Sequence, residues 1–200
     1  MLALSFGSCR VYVDFSCFVL LAFCCLFAGG VGSAFVLSAA ALHELAHILA
    51  LLIFRSPPKT VTVTALGCRI VPDTGRSLRP LQSCMTLLAG PVMNLLLFGA
   101  GSLFQLKNAL FFTANLALGF FHILPIEPLD GGMALRTALS NFVGWQRAGR
   151  ITRIITILLL LPLAVLGLLV LLQTHYNFSL LAISLYLMLY LLLGRDYLPE

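Results

Sequence analysis

The stretch ALHELAHILA, residues 41–50, holds three ionisable side chains inside an otherwise apolar run. His43, Glu44 and His47 form the pattern H-E-x-x-H. On a helix, residues four apart lie on one face, so both imidazoles can bind the same zinc ion. Glu44 lies beside them, where a carboxylate can take a proton from water and return it to a leaving amine. The stretch therefore predicts half of a hydrolytic zinc site.

A chance occurrence on a surface helix is the alternative interpretation of this pattern, and its surroundings argue against that alternative. Between Val31 and Phe54 the three motif residues are the only ionisable ones. Burying a carboxylate in hydrocarbon costs at least ~2.5 kcal/mol. Because a carboxylate without a role would be costly to keep there, the metal site is favoured.

Composition indicates an integral membrane protein. Hydrophobic residues make up 60% of the 200 residues and charged residues 10%, whereas about 25% is usual in soluble domains. Several runs approach the ~20 apolar residues that cross a bilayer. We expect an all-α polytopic membrane protein with a small β-hairpin at the membrane surface, folded as a single membrane-embedded domain over residues 1–200. The six expected spans cover residues 11–29, 31–54, 81–104, 109–125, 151–172 and 177–193. The first run has a signal peptide as its alternative, and a GGVG linker is expected to turn the chain into the motif helix.

The distribution of Lys and Arg predicts the orientation. With the N-terminus inside the cell, eleven of the twelve basic residues fall in cytoplasmic segments and Lys107 falls outside. This asymmetry follows the positive-inside rule, so both termini are expected in the cytoplasm. The same bias accounts for the net charge of +5, and nucleic acid is not expected as a partner.

The loop at residues 55–80 has the pattern of a strand. Threonines alternate with apolar residues from Lys59 to Ala65, a period of two that predicts a hairpin. An amphipathic surface hairpin without a role is one interpretation. The other is an open strand edge, to which an extended substrate could add a strand.

Polar and helix-breaking residues interrupt the third span, which contains Gly90, Pro91 and Asn94. The glycine and proline alone are compatible with simple helix packing. An amide inside a bilayer needs a polar partner, so Asn94 is expected to face the metal site or a substrate backbone.

The end of the fourth span supplies the third metal ligand in this interpretation. Prolines and glycines break the helix in LPIEPLDGG, residues 124–132. Zinc held by two histidines needs one more protein ligand and leaves one position for water. Asp130 is the expected ligand and Glu127 is the alternative, because the remaining downstream acidic residues lie in the basic loop or the C-terminal tail. Residues 131–148 then form an amphipathic helix, expected at the cytoplasmic surface.

Three motifs in order, HELAH, AGPVMN and LPIEPLDGG, resemble the site-2 proteases, which are intramembrane zinc proteases. The resemblance covers residues 31–140. It implies that His43, His47 and Asp130 bind the zinc ion and that Glu44 is the general base. It also implies a supporting motif formed by Gly90, Pro91 and Asn94. Without an expected PDZ domain, the layout is similar to the branch that processes a sporulation sigma-factor precursor, and the regulatory CBS domain common in that branch is not expected either.

The sequence departs from the family pattern F-N-x-x-P, because His122 occupies the position of the asparagine. Asn115 lies seven residues earlier. We expect His122 to donate a hydrogen bond near the site in place of the asparagine, and a supporting role is favoured over metal binding.

The resemblance implies a bacterial membrane enzyme that binds one Zn²⁺ per chain. Its substrate would be a membrane-associated or transmembrane protein, cut in or near its membrane segment. The cleavage would serve regulated proteolysis, such as the release of a transcription factor or the processing of a sigma-factor precursor. Regulatory membrane proteins and a homo-oligomer stay open as further partners. The alternative is an inactive membrane scaffold or transporter with a vestigial metal site.

Overall fold

The structure, a computed structural model, describes residues 2–6, 9–64, 67–72, 78–105, 108–176 and 178–193. These residues form six helices and a small sheet, which confirms the expected all-α polytopic fold. The chain divides into two compact units, Met1–His122 and Ile123–Glu200. That residues 1–200 act as one metalloprotease domain stays a prediction. Of the twelve basic residues on which the expected orientation rests, Arg76, Lys107 and Arg195 lie outside the described residues.

A four-stranded sheet belongs to the first unit. Its strands lie in the order β1-β2-β3-β4, with bounds Leu2–Phe6, Cys9–Val13, Pro58–Thr64 and Gly67–Pro72. The β1·β2 and β3·β4 pairs are antiparallel, and β2·β3 is parallel. The hairpin expected from the threonine alternation is therefore present. Strands β1 and β2 were not expected from the sequence, in which residues 11–13 read as the start of the first membrane span.

Helix α1, Phe15–Ile53, carries the motif and joins β2 to β3. The expected linker at residues 29–32 is wrong in its local structure, because these residues are helical. A straight helix of this length would measure about 58 Å. The chain from Ile53 to Val63 spans at most about 36 Å, yet the Asp14 N–H donates to the Val63 carbonyl at 2.9 Å. Helix α1 must therefore reverse direction along its length, which agrees with two membrane passes in this segment.

Helices α2, Pro80–Leu103, and α3, Ala109–Ile123, complete the first unit and coincide closely with two expected spans. Glycines allow them to approach each other. A Cβ at Gly119 would lie 2.9 Å from Leu95, and one at Gly101 would overlap the Phe112 ring. Small residues at such contacts are usual between membrane helices.

The second unit contains α4, Asp130–Val143, α5, Trp145–Thr174, and α6, Ser179–Leu193. The expected amphipathic helix over residues 131–148 is wrong at its end. Gly144 has φ of 81°, a conformation that favours glycine, and it ends α4 there. Residues 145–150 instead form the first turns of α5.

Three helical segments are long and apolar enough to cross a membrane: Gly30–Ile53, Pro80–Leu103 and Trp145–Thr174. The other two apolar helices, α3 and α6, have 15 residues each, or about 22 Å against a hydrocarbon core of about 30 Å. On the three long segments, large apolar side chains such as Ile53, Leu96 and Leu158 are mostly exposed. Such surfaces suit lipid, and the chain is that of an integral membrane protein.

Candidate metal centre

His43 and His47 lie together on the second part of α1, with their ring nitrogens converging. Both side chains are buried, with 3% and 8% of their surface exposed. Their Nε2 atoms are 3.2 Å apart. Two nitrogens bound to one tetrahedral zinc ion at ~2.05 Å would be separated by roughly 3.4 Å. The pair therefore has the geometry of two ligands of one metal ion.

A carbonyl of α2 determines which nitrogen of His47 carries the proton. His47 Nδ1 lies 2.7 Å from the Thr86 carbonyl oxygen. A carbonyl only accepts, so Nδ1 donates, and Nε2 keeps the lone pair that a metal needs. Thr86 was not singled out from the sequence. Its contact uses the backbone, while its hydroxyl donates to the Gln82 carbonyl, so no residue-type signal could have found it.

Gly90 leaves the space in front of the two histidines. A Cβ at this position would overlap His47 Nε2 and lie 2.7 Å from His43 Nε2. Its neighbour Pro91 is fully buried within α2. The glycine of the AGPVMN motif therefore allows this close approach to the histidine pair, and its supporting role in the site stays a prediction.

The two asparagines singled out from the sequence are both fully buried. Asn115 Nδ2 donates to the Phe111 carbonyl at 2.8 Å. Among the described residues, neither amide atom of Asn94 has a hydrogen-bond partner. A buried polar group without a partner costs about 1–3 kcal/mol, so Asn94 suits a role in binding. Whether that role is in substrate positioning stays a prediction for both residues.

His122, in the last turn of α3, lies against the first motif histidine. The rings of His43 and His122 meet edge to face, with centroids 4.5 Å apart. The side chain is half-buried. The structure thus brings the substituted position of F-N-x-x-P to the metal centre, while its hydrogen-bonding role stays a prediction.

Glu44 faces the sheet. Its carboxylate Oε1 accepts a hydrogen bond from the Cys68 backbone N–H of β4 at 3.0 Å. Burial, followed by the nearby Glu44 carboxylate, raises the pKa of the Cys68 thiol to about 12. The thiol is therefore protonated at neutral pH and is a poor nucleophile or metal ligand. No residue type in the sequence signals this contact either, because its donor is again a backbone group.

In the second unit, Asp130 occupies the first turn of α4 and is half-buried. Two buried glycines follow it. A Cβ at Gly131 would overlap the Ile123 carbonyl, and one at Gly132 would overlap the backbone of Ile126. The Gly-Gly pair therefore lets the start of α4 pack directly on the preceding loop, which determines where Asp130 lies within this unit.

Glu127, the alternative third ligand, is engaged within its own unit. Its Oε1 lies 3.4 Å from Arg136 Nη1, and its N–H donates to the Thr156 hydroxyl at 3.0 Å. Burial raises the pKa of Glu127, although the adjacent Arg136 opposes that shift. The guanidinium also lies 4.3 Å above the Trp145 ring. Because its carboxylate is committed to Arg136, Glu127 is the weaker ligand candidate.

Known proteins resemble this chain in structure and in part of its sequence. The structure is similar to the Site-2 Protease from Methanocaldococcus jannaschii, with a TM-score of 0.69 and 20% identity, over 100% of this chain and 97% of that one. A Synechocystis protein described as a putative zinc metalloprotease is 30% identical over 117 residues, which are 54% of this chain. The match spans 31% of that relative's length. No protein-family model matches the chain. The resemblance seen in the motifs is thus confirmed by the structural likeness, and the chain has the fold of a site-2 protease.

Proposed function

We propose that this chain is an intramembrane zinc metalloprotease that hydrolyses a peptide bond in or near the membrane segment of a protein substrate. The observation that carries the proposal is the buried His43–His47 pair, with Nε2 atoms 3.2 Å apart. The hydrogen bond from His47 Nδ1 to Thr86 leaves Nε2 available for a metal. Two buried imidazoles prepared in this way have little use in a purely structural helix.

His43, His47 and Asp130 are proposed as the ligands of one zinc ion per chain. Each offers one ligand atom, a ring nitrogen or a carboxylate oxygen, and this donor set is common at catalytic zinc sites. The pairing of Glu127 with Arg136 supports Asp130 as the carboxylate. When bound, zinc would polarise the substrate carbonyl and make water more acidic.

Glu44 is proposed as the general base. Its carboxylate lies next in sequence to His43 and is half-buried against β4. It would take a proton from the attacking water and deliver it to the amine that leaves. Asn94 is proposed to bind the backbone of the substrate, because its buried amide has unused donors and acceptors among the described residues.

The substrate must be extended before it is cut, because a helix shields its carbonyls in backbone hydrogen bonds. Strand β4 is the last of the sheet, so one of its edges has no neighbouring strand among those described. That edge includes the amide that reaches Glu44. We therefore assign docking of an extended substrate to β4.

The physiological substrate class follows from the resemblance. A membrane-tethered transcription factor or a sporulation sigma-factor precursor in a bacterial cell membrane would fit regulated proteolysis from the cytoplasmic side. Regulatory membrane proteins or a second copy of the chain would be its further partners.

The test uses the purified chain in detergent or lipid and the Glu44→Gln variant. The parent should contain about one zinc per chain and cleave a transmembrane substrate, and a chelator should abolish cleavage. Glu44→Gln should retain zinc and lose at least a hundredfold in rate, because the amide cannot accept the proton. Equal rates for the two proteins would contradict the mechanism. A parent with zinc and no cleavage of any substrate would favour the inactive scaffold or transporter.

A further inference from the structure

The open edge of β4 carries backbone groups of known direction. In an antiparallel pair, the N–H and C=O of one residue both point toward the partner strand, and those of the next residue both point away from it. Cys68 lies opposite Val63 in the β3·β4 register. The Val63 carbonyl accepts a hydrogen bond from the Asp14 N–H on the β2 side. The backbone N–H and C=O of Val63 therefore point away from β4. Val63 and Cys68 thus form a pair without mutual hydrogen bonds.

The Cys68 N–H consequently points away from β3, where it meets Glu44. Its donation to Glu44 Oε1 at 3.0 Å is the use that the structure records for it. Removing this amide costs the β3·β4 ladder no hydrogen bond. Ile70 lies opposite Val61 and has the same parity, so its amide points outward as well.

We propose that the backbone amide of Cys68 is a positioning group for the general base Glu44. This inference rests on the proposed function. A carboxylate on a three-bond side chain can rotate, and a hydrogen bond from a strand amide holds one of its oxygens in place. The second oxygen is then directed for proton transfer. The donor is rigid, since β4 is paired with β3 over residues 67–72.

The Cys68–Glu44 hydrogen bond is strong enough to affect the rate of hydrolysis. A hydrogen bond to a charged group is worth more than a neutral one, and the half-buried setting of both residues limits competition from water. Loss of this bond corresponds to roughly a ten- to hundredfold change in rate, if it is made fully in the reacting state.

Proline at position 68 tests the amide by itself. Cys68→Pro removes the N–H, and proline is tolerated where an edge-strand amide faces outward. On a short, extended peptide, we expect kcat to fall about ten- to hundredfold, with KM within about twofold and zinc content unchanged. A lower kcat at unchanged KM indicates a misplaced base, whereas a higher KM would indicate loss of substrate binding.

Two matched variants identify the group responsible. Cys68→Ala keeps the amide and removes the thiol, so its kcat should exceed that of Cys68→Pro at least tenfold. Ile70→Pro removes an outward amide of the docking edge two residues away. On the short peptide its KM should therefore rise, while its kcat should exceed that of Cys68→Pro at least tenfold. Equal losses in Ile70→Pro and Cys68→Pro would overturn the proposal, as would equal losses in Cys68→Ala and Cys68→Pro. Faster cleavage by Cys68→Pro would also overturn it, because the amide would then restrain Glu44.

Hydrogen exchange of the Cys68 amide provides a readout that needs no catalysis. In selectively ¹⁵N-cysteine-labelled protein, this amide should exchange at least tenfold faster in Glu44→Ala than in the parent, because its acceptor is lost. Unchanged exchange would overturn the proposal even if the chain proves to be a protease. Faster exchange in a chain that cleaves nothing would instead support the contact and count against the proposed function.

Discussion

The approach of α2 to the two histidines depends on a single residue, Gly90. No side chain fits there, because a Cβ would overlap His47 Nε2. Alanine is otherwise the better helix former, by about 1 kcal/mol. The choice of glycine inside this helix is therefore explained by the space that the metal centre needs.

We predict that Gly90→Ala lowers zinc content at least tenfold while the helical content stays the same. The added methyl group would displace both imidazoles from their converging arrangement. Zinc analysis by atomic absorption and far-UV circular dichroism measure the two effects.

Gly99→Ala is the matched control on the same helix, since a Cβ at Gly99 would meet nothing within 4 Å. It should retain about one zinc per chain. A Gly90→Ala protein that also retains full zinc would show that the histidines do not bind the metal in the arrangement described.

Among the elements, β3 has a different place from the one expected. From the sequence, the Lys59–Ala65 stretch is a candidate open edge for substrate. That expectation is wrong, because β3 lies between β2 and β4 in the sheet. Within this hairpin, the edge without a neighbour among the described strands belongs to β4. Ala65 itself lies outside the described residues.

We predict that Val63→Pro lowers the thermal stability of the sheet. Val63 lies in a central strand, and its backbone groups point toward β2. Proline at this position therefore removes an N–H donor from the β2·β3 ladder. A loss of about 3 kcal/mol or more is expected, by analogy with interior positions of regular structure. Limited proteolysis of the N-terminal segment as a function of temperature would measure it.

Ile70→Pro is the comparison at the open edge and should be cleaved by the added protease at a clearly higher temperature than Val63→Pro. If both variants are equally stable, β3 is not a central strand in the folded protein.

For the whole molecule, the sheet places two distant parts of the chain on one side of the membrane. Residues Arg10–Val13 pair directly with Thr60–Val63, although α1 separates them. An even number of membrane passes must therefore lie between them. This agrees with the positive-inside interpretation, in which both segments are cytoplasmic.

We predict that a cysteine at position 147 reacts with a membrane-impermeant reagent from the cytoplasmic side, and one at position 107 from the outside. A cysteine at Asp130 should be reached from the cytoplasmic side, where substrate is proposed to enter. Each is measured in a background without the native cysteines, in right-side-out and inside-out vesicles. Access to position 130 from the outside alone would contradict the proposed entry.

The sequence by itself determined the class of the protein and the chemistry of half its site. Hydropathy over 20-residue windows is a local property, and it located α2, α3 and α6 within about two residues. The spacing of His43 and His47 within one helix determines their relative direction, so their convergence could be foreseen. Asp130 followed from the small number of downstream acidic residues, and it stays a prediction as third ligand. The supporting role of Gly90 and Pro91 came instead from the resemblance.

The tertiary structure decided the contacts that use the backbone or join distant segments. The Thr86 carbonyl and the Cys68 N–H are backbone groups, which nearly every residue has. No residue type in the sequence therefore predicts these contacts. The place of β3 within the sheet depends on β2, which lies some 50 residues earlier in the chain. Periodicity reports which faces of a strand are apolar, whereas its neighbours are determined by packing across the whole unit.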